Sequence, residues 1–164
     1  MGTVTYPHAE VIEFLAEHFV PVKYNVKEPA PEMKEALGRY RLLWAPVLVF
    51  LDHRGGELRR STGFLAPDEF LAEARLGLGL HALARNKPDR ALEWFQEAAD
   101  RVPRTDLAPE ALFWAASAAY RIGGIPAVIE RWDDLRARYP DSTWAMKVNV
   151  VPDELRAAQG RPGA

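Results

Sequence analysis

The chain of 164 residues contains no cysteine. That absence excludes a disulfide, a thiolate nucleophile, an iron–sulfur cluster and any cysteine-held zinc. An excess of one charge sign is missing too: the net charge is −2 and the isoelectric point about 6.1. No block of five or six basic residues occurs, so nothing marks a nucleic-acid surface. Long apolar runs are also lacking, and a run such as Ala45 to Leu51 is far short of a membrane span. Residues 1–6 carry neither the basic nor the apolar region of a signal peptide. The expectation is a cytoplasmic protein with no nucleic-acid or membrane partner. No Gly-x-Ser-x-Gly, P-loop or Gly-x-Gly-x-x-Gly pattern is present. His8, His18, His53 and His81 are scattered, without an i,i+4 pair or a carboxylate motif. Neither a metal site, a catalytic triad nor a cofactor is therefore expected.

What is present is enough apolar residue, 48%, to fill a core. The length accommodates one domain or two small ones. Alanine is abundant and arginine far outnumbers lysine, which fits a GC-rich genome or a thermophilic source.

The first half alternates in type. Val11, Ile12, Leu15 and Phe19 recur at helical spacing and predict a helix over about 8–19, with Pro7 near its first turn. Residues 20–26, Val-Pro-Val-Lys-Tyr-Asn-Val, alternate as a strand does. Glu28 to Pro31 is a loop, and Pro31 to Tyr40 a second helix with Met33, Leu37 and Tyr40 on one face. Val47 to Leu51 is continuously apolar, the pattern of a strand buried on both faces. Asp52 to Gly56 suits a hairpin turn, and Glu57 to Thr62 an antiparallel partner with Leu58 inward. A helix follows from Pro67 through Leu78, where Gly77 and Gly79 read as close packing.

The second half is helical. Helices are predicted over about 88–101, 108–122 and 126–138, divided by Pro103–Asp106, Gly123–Gly124 and Tyr139–Ser142. A weak strand signal covers 148–151, and the last residues are expected to fray.

Residues 3–78 resemble the middle and C-terminal part of a bacterial thioredoxin-family domain. The resemblance rests on four pieces in order: Thr5 to Val11, His18 to Lys23, Pro46 before its apolar strand, and Gly63-Phe64 before the last helix. It implies a cis-proline at Pro46 and a peptide-contact loop at Trp44, Ala45 and Pro46. The departure is decisive for chemistry. The family's Cys-x-x-Cys needs a low-pKa thiolate with a resolving thiol one turn on, and neither exists here. The resemblance also implies a strand between 20–26 and 47–51 that this sequence lacks. Unpaired strand edges are the expected result, open to a closed gap, a second subunit or an upstream segment.

Residues 76–147 resemble tetratricopeptide-type helical pairs. Ala91, Phe95, Ala98 and Pro103 carry one copy, and Val128, Trp132, Leu135 and Pro140 a second, 37 residues on. Trp94, Phe95, Phe113, Trp114, Tyr120 and Trp132 are expected in the helix–helix core, or in part along a peptide groove. The predicted organisation is an incomplete thioredoxin-like α/β domain over 1–80, an all-α tetratricopeptide-like region over 81–147 and a tail over 148–164.

Two functions follow. One is a redox-inert protein-binding or scaffold module, joined to a protein or peptide partner or to its own copies through the strand edges. The other is the C-terminal part of a thiol–disulfide oxidoreductase whose Cys-x-x-Cys segment lies outside this sequence. Trp44 itself reads either as core or as a cover for a bound peptide.

Overall fold

The computed structural model describes residues 1–25, 31–42 and 44–148, apart from the side chains of Glu32, Met33 and Leu37. The expected loop at 28–30, the strand residues 149–151 and the tail beyond them lie outside the described residues, as does Val26. The protein is mixed α/β, mostly helical, with one two-stranded antiparallel sheet. It divides into two compact units, Met1–Gly77 and Leu78–Ala164.

In the first unit, α1 (Ala9–His18) buries Val11 and Phe14. The predicted face included Ile12, which is 53% exposed. Phe14 takes its place because the Arg75 guanidinium lies 4.3 Å above its ring and His18 packs against its edge. The N-terminal turn is fastened by Thr5 Oγ1, which donates 2.5 Å to the Leu65 carbonyl, and by Tyr6 set edge-on to Phe70.

No strand forms over 20–25. Val20 is 92% exposed, Val22 69% and Tyr24 42%. A strand needs a ladder partner for its backbone groups. Among the described residues β1 pairs only with β2, and Pro21 has no N–H to donate.

Helix α2 (Pro31–Tyr40) leads to β1 (Val47–Leu51) and β2 (Glu57–Thr62). The register runs from Val47↔Thr62 to Phe50↔Arg59, then slips so that Leu51 faces Glu57. The turn is built by Asp52, whose Oδ1 accepts from the N–H groups of Arg54 and Gly56, each at 2.8 Å. Gly55 takes φ 77° there. The expectation of a strand buried on both faces does not hold: Phe50 is buried, Val47–Val49 are half-buried and Leu51 is exposed. With a single neighbouring strand, β1 has less structure over it than a strand inside a sheet.

Helix α3 (Pro67–Ala84) opens with Pro67 in its first turn and Glu69, whose carboxylate accepts from the Ala66 N–H at 3.1 Å. Its buried face includes Phe70, Leu71, Ala74 and Leu76. Glu73 is also buried, held by Arg59 of β2. Gly77 leaves room for Phe50, which an added Cβ would meet at 3.3 Å.

In the second unit, the end of α3 closes on Asn86 at φ 54°. The Lys87 N–H bonds to Ala82 O and the Asn86 N–H to Leu83 O, the two bonds of a Schellman closure. Helix α4 (Pro88–Arg101) buries Ala91, Trp94, Phe95, Ala98 and Ala99. Gly79 lies so close to the Phe95 ring that no Cβ fits between them.

The two predicted helices at 108–122 and 126–138 are the halves of α5 (Leu107–Arg138), broken where Gly124 takes φ 68°, ψ −152°. Ala116 packs with Val128 and Ile129 in one cluster. In a straight helix, residues 12 apart are separated by about 18 Å, so the break folds α5 back on itself as a hairpin. By length and composition α5 is apolar enough to cross a membrane, but the break and the buried alanine face make it a helix pair.

The closures of α4 and α5 match. Val102 has φ −129°, ψ 52°, and Tyr139, 37 residues later, has φ −135°, ψ 58°. The two closures touch: the Tyr139 hydroxyl donates 2.9 Å to Pro103 O. A short helix not foreseen from sequence, α6 (Thr143–Lys147), follows, capped by Ser142 Oγ accepting 3.0 Å from the Ala145 N–H.

Candidate functional site

The predicted contact residues Trp44, Ala45 and Pro46 sit between α2 and β1. Two anchors hold the end of α2 against the hairpin. The Tyr40 hydroxyl donates 3.2 Å to Gly55 O, and the Arg60 guanidinium donates to the carbonyls of Tyr40 and Arg41. Tyr40 closes the helix, so its carbonyl finds no donor inside it, and Arg41 follows directly. Arg41 turns the chain out at φ 48°.

On the other side, the Gly63 N–H donates 2.9 Å to Pro46 O, one residue beyond the Val47↔Thr62 pair. The Ala45–Pro46 peptide bond is cis. All three loop residues are exposed, and Trp44 is 72% exposed. The core alternative for Trp44 is therefore overturned: Trp44 stands largely exposed among the described residues.

Phe64 was not singled out from sequence as a site residue. It follows Gly63, which takes φ 102°, and is 57% exposed. The signal for it was the register, because pairing Pro46 with Gly63 places residues 45 and 64 side by side. An indole, a proline and a phenyl ring thus stand exposed at one end of the hairpin.

The charges nearby serve the fold. Arg60 bonds Glu57 at 2.6 Å, and this hydrogen bond holds the Glu57 carboxyl below its usual range and pushes Arg60 up. The loop itself contains no nucleophile and no titratable side chain. What it can do is make contacts.

The histidines do not assemble. His8 stands exposed at the N-cap position of α1 without a side-chain capping bond, and His53 is exposed in the hairpin turn. His18 and His81 are half-buried. Among the described residues no three His, Asp or Glu side chains gather as a metal site would require.

No family model, curated protein or solved structure matches this chain. The geometry alone therefore carries the functional reading.

The aromatic set of the second unit divides between core and surface. Phe95 is fully buried and stacks on Trp114, with centroids 6.4 Å apart. Trp94 is buried under the Arg90 guanidinium. Phe113, Trp114 and Trp132 are partly covered, and Tyr120 is 54% exposed. The core expectation describes Trp94 and Phe95 and fails for Tyr120, which sits beside the break in α5. A cleft of about 510 Å³ also lies along the end of α5 and α6, lined by Asp133, Arg136, Ala137, Pro140, Ala145 and Met146.

Proposed function

We propose that this chain is a redox-inert, thioredoxin-like unit joined to tetratricopeptide-like helical hairpins, and that it works as a protein-binding or scaffold module. The observation that carries the reading is Trp44, an indole left largely in water in the loop that carries Pro46. Tryptophan is among the residues that dominate binding energy when a partner covers them. Support for the helical half comes from the matched closures at Val102 and Tyr139 and from the small residues facing Phe95. The partner is a protein or peptide and the location is the cytoplasm.

The test is binding of a peptide library to the full chain, with Trp44→Ser as the variant. Because Trp44 is exposed, the variant keeps its fold while selected peptides lose at least about tenfold in affinity. Unchanged affinity overturns the site. Turnover of a dithiol–disulfide substrate by the pure protein overturns the redox-inert reading.

A second reading is favoured by residues 20–24, which have strand spacing, stand exposed and, among the described residues, form no ladder with the two-stranded sheet. Here the chain is the later part of a thiol–disulfide oxidoreductase, whose upstream strand and Cys-x-x-Cys complete the sheet. The intact mass of the protein from its source cells decides: an excess of roughly 3–5 kDa, the size of a β-α-β unit, supports it. If instead the edges are filled by a second copy, sedimentation gives a dimer.

A further inference from the structure

The apex of the α5 hairpin is apolar and unshielded. Tyr120 is 54% exposed, Ile122 49% and Ile125 50%. All three flank the Gly123–Gly124 turn, where the chain reverses. Isolated exposed apolar residues are ordinary, but here three large ones flank a single turn.

The α5 turn and the α3–α4 turn themselves carry charge of one sign. The Arg121 Nη1 donates 2.7 Å to Leu83 O, which brings the α3–α4 turn alongside. That turn adds Arg85 and Lys87, both exposed. Residues 84–88 and 119–129 contain these three cations and no carboxylate. The nearest acidic residues in sequence, Asp89 and Glu130, stand just beyond each turn.

We propose that this apex docks on an anionic lipid surface. Two exposed isoleucines flank the turn, and the neighbouring α3–α4 turn carries exposed cations. That combination suits shallow insertion into a bilayer interface, with apolar side chains below the headgroups and arginine and lysine at the lipid phosphates. An exposed tyrosine, Tyr120, precedes the turn, and tyrosine is a residue type enriched at membrane–water boundaries. A second copy of the apex is disfavoured, since it would set three cations against three. The inference concerns contact with a surface. Because α5 reverses at Gly124, the contact proposed is with the surface and not a span.

The experiment is co-sedimentation of the full chain with vesicles of phosphatidylcholine alone or with about one-third phosphatidylglycerol. Binding to the anionic vesicles should exceed that to neutral ones by at least about tenfold, given three cations near the surface. It should weaken in 0.5 M salt, where screening shortens to a few ångströms (about 4). Ile122→Ser with Ile125→Ser should cut binding at least tenfold. Because the chain has no cysteine, Ile125→Cys takes a single environment-sensitive label, whose emission should shift to the blue on anionic vesicles. The same label at His53→Cys should not shift.

Absence of binding to anionic vesicles overturns the proposal, as does equal binding of the double-serine variant or a shift at 53 without one at 125. If the serine variant fails to fold, Arg85→Glu with Lys87→Glu decides, and unchanged binding overturns the proposal. Binding to soluble polyglutamate without binding to vesicles would assign the apex to an acidic protein instead and also overturn it.

Discussion

Adding one methyl group at Gly79 should destabilise the second unit, while the same change two residues earlier should not. At Gly79 the new Cβ would collide with the Phe95 ring, and Phe95 cannot retreat. It is fully buried and stacked on Trp114. Overpacking of this severity costs about 3 kcal/mol. Alanine recovers about 1 kcal/mol of helix propensity over glycine, so the net loss is about 2 kcal/mol. At Gly77 the new Cβ would meet Phe50 at 3.3 Å, a tight but adjustable contact. There an overpacking cost of about 1 kcal/mol is cancelled by the same gain in propensity.

Urea unfolding followed by tryptophan emission is a suitable assay, since four of the five tryptophans lie beyond residue 77. Gly79→Ala should lower the midpoint while Gly77→Ala leaves it within error. Gly79→Ala in a Phe95→Leu background should cost less than in the wild type, because the smaller side chain makes room. If Gly79→Ala is as stable as Gly77→Ala, or if its cost is the same in both backgrounds, the close approach of α3 and α4 is refuted.

Gly124→Ala should destabilise by about 1–3 kcal/mol, because φ 68°, ψ −152° lies in a region that side chains do not tolerate; the midpoint in urea reads it. Arg59→Ala should cost about 3–5 kcal/mol by leaving the buried Glu73 carboxylate unpaired, whereas Arg59→Met with Glu73→Leu should be close to neutral in circular-dichroism melts. The Glu57–Arg60 pair gives a small pH dependence of known sign. The folded carboxyl titrates below its unfolded range, so its contribution is present above that range and fades as pH falls through the lowered value. Glu57→Gln should flatten that part of the acid limb without changing neutral stability by more than a few tenths of a kcal/mol.

Much of the element order was legible because it depends on local rules. Proline in the first turn marks α2, α3 and α4; the alanine, aromatic and glycine pattern marks α4 and the two arms of α5. The 37-residue offset of Pro103 and Pro140 reappears as two closures of the same backbone geometry. At the candidate site, Trp44 to Pro46 could be named from the chain, but their exposure could not. Phe64 joins them only through strand register.

The sequence by itself determined what chemistry is excluded, where most helices and the hairpin form, and where α5 must break. These follow from residue type, periodicity and glycine's access to positive φ. Tertiary structure decided the rest. Residues 20–25 have the spacing of a strand and stay irregular, because a ladder needs a neighbour that spacing cannot supply. Phe14 displaced Ile12 from the buried face because of where Arg75 and His18 lie. Trp44 stands in water because none of the described elements comes over it. Burial is a property of neighbours distant in the chain, and the amino-acid pattern reports only a residue's capacity for it.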